Sequence, residues 1–255
     1  MDKESHKSFR INVGVQGPVG HFQGKRRSRQ REDEVKIGWL WTLLILSVAT
    51  AAAQQEPVPV DQEPHHHVVL KNDSVLVLHV ILPPGETTLY HTHTRDRVSV
   101  ALTSTMLAQQ KLGEPEGKPG MTHPGSISAI PNDGPYTHRL HNLGPATFEV
   151  IDVEFFQRPE HPSETAAAPV AAENPSARVY NWPLAPGAST PLHTHERPYL
   201  ILAVTPMLLK MTGPDGSSMT HEVKAGDFHW VDTKVTHSLT NSGTTEGQIV
   251  EIELK

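Results

Sequence analysis

From residue 74 onward the chain alternates short apolar runs with clusters of Gly, Pro, Asn and Asp. SVLVLHVIL (74–82), RVSVAL (97–102), YLILAV (199–204), DFHWV (227–231) and QIVEIEL (248–254) are all rich in β-branched or aromatic residues. Runs of that length, bounded by turn formers, predict strands. No stretch from 54 to the end carries the 3.6-residue apolar period of an amphipathic helix. The expectation is an all-β chain.

The strands come in two sets. LPPGETTLYHTHTRDRVSVALTSTML (82–107) aligns without a gap on LAPGASTPLHTHERPYLILAVTPMLL (184–209), at an offset of 102. Further on, HRLHNLGPATFEVIDVEF (138–155) aligns on HSLTNSGTTEGQIVEIEL (237–254) at an offset of 99. Each half ends in an alternating strand, with Val150, Asp152 and Glu154 matching Ile249, Glu251 and Glu253. One supersecondary design is therefore used twice.

The flanking segments differ in character. VKIGWLWTLLILSVATAAAQQ (35–55) has a Lys, an apolar run from Ile37 to Ala49 and three alanines, the layout of a secretory signal cleaved near Ala53. The run is short for a membrane span of about 20 apolar residues. Residues 1–34 are polar and aperiodic, and are expected to be a non-native or disordered extension from a start assigned too early. Residues 54–65 are Pro- and acid-rich and predict an extended tether. The Pro/Ala/Glu-rich stretch at 158–176 predicts a linker. That leaves 66–157 and 177–255 as two domains, exported to the periplasm or beyond, with no lasting membrane association.

Composition narrows the chemistry. Cysteine is absent, so thiolate catalysis, disulfides and Cys-ligated metals are excluded. Without residues 1–53 the chain has 13 Lys and Arg against 23 Asp and Glu. That net charge of about −10 disfavours nucleic acid and anionic membranes as partners. There is no P-loop, dinucleotide fingerprint, nucleophile elbow or His-Glu-x-x-His motif. The 17 histidines stand out. His91/His93 and His193/His195 are spaced i, i+2, so on a strand each pair points to one side. His65, His66 and His67 read as polar residues of a His-tolerant loop. His79, His123, His141, His221 and His229 read as surface or packing residues. Phe228 and Trp230 share one face of a predicted strand, as core packing or as a wall against an apolar ligand.

Gly-x5-His-x-His stands at Gly85/His91/His93 and at Gly187/His193/His195. Gly125-SISAI-Pro131 with His138-RLH-Asn142, and Gly226-DFHWV-Asp232 with His237-SLT-Asn241, follow in the same order. In this two-part signature, written twice, the chain resembles the cupins, small jelly-roll barrels, and specifically a bicupin of two tandem barrels. Asp232 and Lys234 replace the usual Pro and Gly of the second part, and two extra residues precede His138. The resemblance implies a three-histidine metal site in the C-terminal barrel (His193, His195, His237) and a matching trio in the N-terminal one (His91, His93, His138). The cofactor implied is a divalent transition metal, Fe2+ first, with Zn2+, Mn2+, Ni2+ or Cu2+ as alternatives.

Where the family places a glutamate ligand, a few residues after the second histidine, this chain has Arg97 and Tyr199. The expectation is therefore at most three histidines per site, with Arg97 and Tyr199 as candidate catalytic residues. Arg97 either sets a cation beside the metal, binds a substrate carboxylate, or turns outward onto Asp96. Glu196 points away from His195 on a continuous strand. By resemblance, the activity is a metal-dependent, dioxygenase-like oxidation of a small organic substrate, and a homodimer is plausible. The alternatives are a non-catalytic binding module, or a non-redox metal-dependent isomerase or lyase.

Overall fold

The computed structural model describes residues 56–162 and 165–255. The extension, the signal segment and its cleavage point lie outside these residues. Among the described residues no helix is long and apolar enough to cross a membrane.

The expected strands are present, in two barrels. In the first, β1 (Val58–Pro59), β2 (His66–Lys71), β3 (Val75–Leu82), β4 (His91–His93) and β5 (Arg97–Ala101) lead to β6 (Met106–Lys111), β7 (Gly120–Met121), β8 (Ile127–Ile130), β9 (Tyr136–Asn142) and β10 (Phe148–Phe155). In the second, β11 (Ala172–Glu173), β12 (Ala177–Leu184), β13 (His193–His195), β14 (Tyr199–Ala203) and β15 (Met207–Thr212) lead to β16 (Ser218–Val223), β17 (Phe228–Val231), β18 (Val235–Asn241) and β19 (Gly247–Leu254). Barrel 1 is the sheet β1-β4-β9-β6-β7 facing β2-β3-β10-β5-β8. Barrel 2 is β13-β18-β15-β16 facing β11-β12-β19-β14-β17. Two Greek-key sheets closed on each other are the jelly-roll architecture.

The two halves of the motif lock each barrel together. Gly85 and Gly187 both have φ near +78°, a conformation in which a side chain is strained. Their amides donate to the carbonyls of Asn142 and Asn241 respectively, each at 2.8 Å. The Asn241 side chain is fully buried and donates to the carbonyls of Leu184 and Thr245; Asn142 does the same to Leu82 and Ala146. These bonds satisfy backbone acceptors that would otherwise be buried without a partner. They also hold the turn before the His-x-His strand against the strand that carries the third histidine.

The barrels share a core. Val75, Val77, Ile151 and Val153 of the first pack with Val179, Leu200, Val250 and Ile252 of the second, all essentially without solvent exposure. Along β10 and β19 the residues therefore divide by parity. Ile151, Val153, Val250 and Ile252 enter the layer between barrels, while Val150, Asp152, Glu154, Ile249, Glu251 and Glu253 point the other way. Phe228 and Trp230 pack against this shared core.

Two expected connectors have structure. Val58–Pro59 pairs in parallel with β4 and Val60 is buried, so residues 58–63 are part of barrel 1 and not a free tether. In the linker, Ala172–Glu173 pairs with β12. There Asn174 donates to the Arg97 carbonyl and Ser176 to the Asp96 carboxylate. Low complexity hid these contacts because backbone pairing and short polar side chains leave no hydrophobic period to read.

Candidate metal centre

In barrel 2, β13 pairs antiparallel with β18 so that His193 lies directly opposite His237. His195, two residues on, projects to the same side. All three rings are buried. The His193 Nδ1 lies 2.9 Å from the Pro191 carbonyl. A carbonyl only accepts, so Nδ1 carries the proton and Nε2 presents a lone pair inward.

A fourth donor joins them, against the expectation of a three-histidine limit. Glu251 arrives from β19, and one ligand atom from each of His193, His195, His237 and Glu251 lies within 4.8 Å of all the others. Its carboxylate is 3.1 Å from His193 Nε2, 3.3 Å from His195 Nε2 and 3.0 Å from His237 Nε2. The family position itself is filled by Tyr199. The carboxylate comes instead from the neighbouring strand, where Glu251 stands opposite Ile201. The sequence carried a sign of this, since Ile249, Glu251 and Glu253 share one face of a strand. Only the packing of barrel 1 against the other face of β19 shows that this side is the barrel interior.

The set fits a divalent cation. Nε2 of His193 and Nε2 of His237 are 3.1 Å apart. Glu251 Oε1 and both ring nitrogens of His195 are buried without a hydrogen bond of proper geometry among the described residues. Lone pairs that converge in this way need positive charge between them, from protons or from a metal. Burial depresses His195, but the carboxylates of Glu251 and Glu253 outweigh it and push it up to about 9. Burial likewise raises Glu251, and the three imidazoles overcome this and hold it well below the usual carboxylate range. The site is thus an acceptor cluster of net negative potential. Imidazole with carboxylate suits iron, zinc, nickel and copper, and the carboxylate also suits manganese. Supporting bonds fix the donors. Trp182 Nε1 donates to Glu251 Oε2 at 2.7 Å, and Tyr180 donates to Glu253, which lies 3.5 Å from His195 Nδ1. Such outer partners orient ligands and set their basicity.

Tyr199 lies beside the cluster. Its ring stacks on His195 and its buried hydroxyl has no partner among the described residues. Tyr199 also lines a cavity of about 740 Å³, with Ile201, Leu209, Met211, Phe228 and Val235. None of the four donors lines this cavity, so Tyr199 is its point of contact with the cluster. Glu196 is outside, paired with Lys234 at 2.6 Å.

Barrel 1 repeats the trio and departs elsewhere. His91 lies opposite His138, and His91, His93 and His138 bring one ligand atom each within 4.8 Å. His93 and His138 approach at 3.1 Å through Nε2, with His93 Nδ1 on Glu154 at 2.8 Å. Among the described residues no carboxylate completes this group. Asp152, the counterpart of Glu251, is one methylene shorter and accepts a hydrogen bond from Ser99. Burial, followed by neighbouring His66 and His93, holds His91 down to about 3. Burial, with Arg97 and His66 adding to it, brings His93 to about 3 as well.

Two features here correct the sequence reading. Arg97 does not turn onto Asp96, which is bound by Arg158 and Ser176. It lines the barrel 1 cavity instead. His66 is no loop residue: it is buried, 4.3 Å from His91 between ring centroids, and lies 2.5 Å through Nδ1 from Glu63. It falls outside the repeat, so no periodicity marked it.

No protein-family model matches the chain. The beta-alanine degradation protein BauB of Pseudomonas aeruginosa is 31% identical over 90 residues, which are 35% of this chain and 94% of that protein. A cupin domain of Bordetella pertussis Tohama I is 30% identical, covering 39% of this chain and 98% of its own, with a TM-score of 0.31. The chain is a bicupin. Both of those relatives are about the length of one barrel of the bicupin. AerE from Microcystis aeruginosa matches across both, with a TM-score of 0.56 at 16% identity, covering 78% of the bicupin and 98% of AerE.

Proposed function

We propose that this bicupin is an exported metalloenzyme whose C-terminal barrel carries out an oxygen-dependent oxidation of a small organic molecule. The observation that carries the reading is the convergence of His193, His195, His237 and Glu251 on one buried point beside a large apolar cavity. Three histidines and a carboxylate would hold Fe2+ first, with the other divalent transition metals as alternatives. Bound there, the metal supplies Lewis-acid and redox chemistry towards an oxygen-bearing substrate and dioxygen.

The chain's own residues have separate parts in this. Ile201, Leu209, Met211 and Phe228 take up the apolar body of the substrate and exclude water. The Tyr199 hydroxyl meets the substrate's polar end and donates a hydrogen bond to it, since burial and the carboxylates of Glu251 and Glu253 raise its pKa and keep it protonated. Glu251 contributes one negative charge, and Trp182 holds its orientation. BauB's name connects it with degradation of a small amino acid, which supports a small-molecule substrate. Export is supported by the signal-like layout of residues 35–53, and N-terminal sequencing of the native protein tests it.

Elemental analysis of protein purified without added metal, beside His193→Ala and His91→Ala, tests the main reading. Iron lost in His193→Ala, with oxygen uptake on diketones, flavonoids or phenols, supports it. Zinc or nickel without oxygen uptake points to an isomerase or lyase. Absence of metal together with retained ligand binding makes the protein a binding module.

A further inference from the structure

The two barrels have diverged at equivalent places around their cavities. Where barrel 2 has Tyr199, Ile201 and Met211, barrel 1 has Arg97, Ser99 and Gln109. All six line their own barrel's cavity. Barrel 1 thus has a smaller cavity of about 220 Å³, against about 740 Å³ in barrel 2, with polar side chains at these three places of its wall. That is below the roughly 300–1,000 Å³ of pockets for drug-sized ligands.

Arg97 is the charged member of this lining, together with Asp152. It is only 7% exposed. Among the described residues its guanidinium has no ion-pair partner and no hydrogen bond, and it lies over the Tyr136 ring, 5.5 Å from the ring centre. The nearby carboxylates are engaged elsewhere. Asp96 binds Arg158, Asp152 binds Ser99, and Glu154 binds Arg95 and His93. A buried guanidinium is costly unless paired, and its planar fork matches a carboxylate bidentately. The imidazoles of His66 and His91 line the same space and add hydrogen-bonding capacity.

We propose that barrel 1 is a binding site for a short aliphatic carboxylate, held by Arg97 through a forked ion pair, with His66, Ser99 and Gln109 meeting its remaining polar atoms. The site concerns barrel 1 only and is independent of the chemistry proposed for barrel 2.

Calorimetric titration of the full chain, freed of metal by chelator and dialysis, tests this with malonate and glycolate as probes. At least one acid binds with a Kd below about 1 mM. The corresponding amides, malonamide and glycolamide, bind at least tenfold more weakly, or about 1.4 kcal/mol. Arg97→Gln loses roughly 10–100-fold in acid affinity while barrel 2 keeps its metal content on reloading. Arg97→Lys, which keeps the charge but not the fork, lies between. The proposal is overturned if neither acid binds, if acids and amides bind alike, if Arg97→Gln binds the acids as tightly as wild type, or if binding disappears with the metal. The acid-against-amide comparison uses the wild type alone, so it stands even if a variant fails to fold.

Discussion

The Tyr199 ring lies flat on the His195 imidazole, with centroids 3.9 Å apart and planes inclined by 16°. This contact fixes one face of a candidate ligand and leaves the tyrosine hydroxyl buried and unpartnered. An unsatisfied buried hydroxyl costs stability that a hydrogen-bonded one does not. Tyr199→Phe is therefore expected to keep the stack, retain metal and gain about 1 kcal/mol in chemical denaturation. If the hydroxyl serves the substrate, the same variant loses turnover. A variant that is destabilised instead would show that the hydroxyl has a partner in solution.

Glu251 is the donor on which the barrel 2 cluster depends. Glu251→Gln keeps the shape and removes the charge. Metal affinity is expected to fall by more than the roughly 10–100-fold typical of losing an outer hydrogen-bonding partner. Trp182→Phe, which removes only the bond that orients the carboxylate, falls within that range. Competition with a chelator of known affinity measures both, and equal losses in the two variants would argue that Glu251 is not a direct ligand.

The metal-free protein is expected to be most stable near pH 6.5. His195 has a folded-state pKa of about 9, above the unfolded value of about 6.5. Its contribution is complete below about 6.5 and is lost as the pH rises through about 9. His91 and His93 stand at about 3, below the unfolded value. Their neutral burial is fully supported above about 6.5, and stability falls as the pH drops towards 3 because the unfolded chain binds the protons. Melting temperature against pH should show both limbs. His195→Gln removes the alkaline one, and an unchanged alkaline limb in that variant would refute the assignment.

Ile151 belongs to barrel 1 by sequence, yet it packs in the layer shared with barrel 2 and has no solvent exposure. Ile151→Ala is expected to cost about 2–5 kcal/mol. Because the layer is common property, both barrels should lose stability in one transition. Urea unfolding followed separately by tryptophan fluorescence, whose reporters Trp182 and Trp230 lie in barrel 2, and by far-UV circular dichroism checks this, and two transitions would show that the barrels fold apart.

Much of this molecule is legible in one dimension. The strands, the duplication and the two His-x-His pairs follow from residues that repeat at fixed spacing, because a strand's alternation carries i and i+2 to one side wherever it lies; His138 and His237 were added by the resemblance to cupins. The Gly and Asn of the motif mark a turn and a strand end that the fold brings together. Glu251 and Asp152 were visible as alternating acids, but alternation alone does not say which side faces water. That side was decided by the packing of barrel 1 against the apolar face of β19, which leaves the acids to point inward. His66 lies outside the repeat and sits against the trio with its ring anchored by Glu63, whose segment begins in the Val58–Pro59 pairing with β4.

Local chemistry thus determined the elements and the two His-x-His pairs, since spacing along a strand is a property of the chain itself. Packing decided the rest. Which face of a strand is interior, which carboxylate joins the imidazoles and which guanidinium is left without a partner all depend on groups distant in sequence, and their neighbours exist only once the two barrels have closed and met.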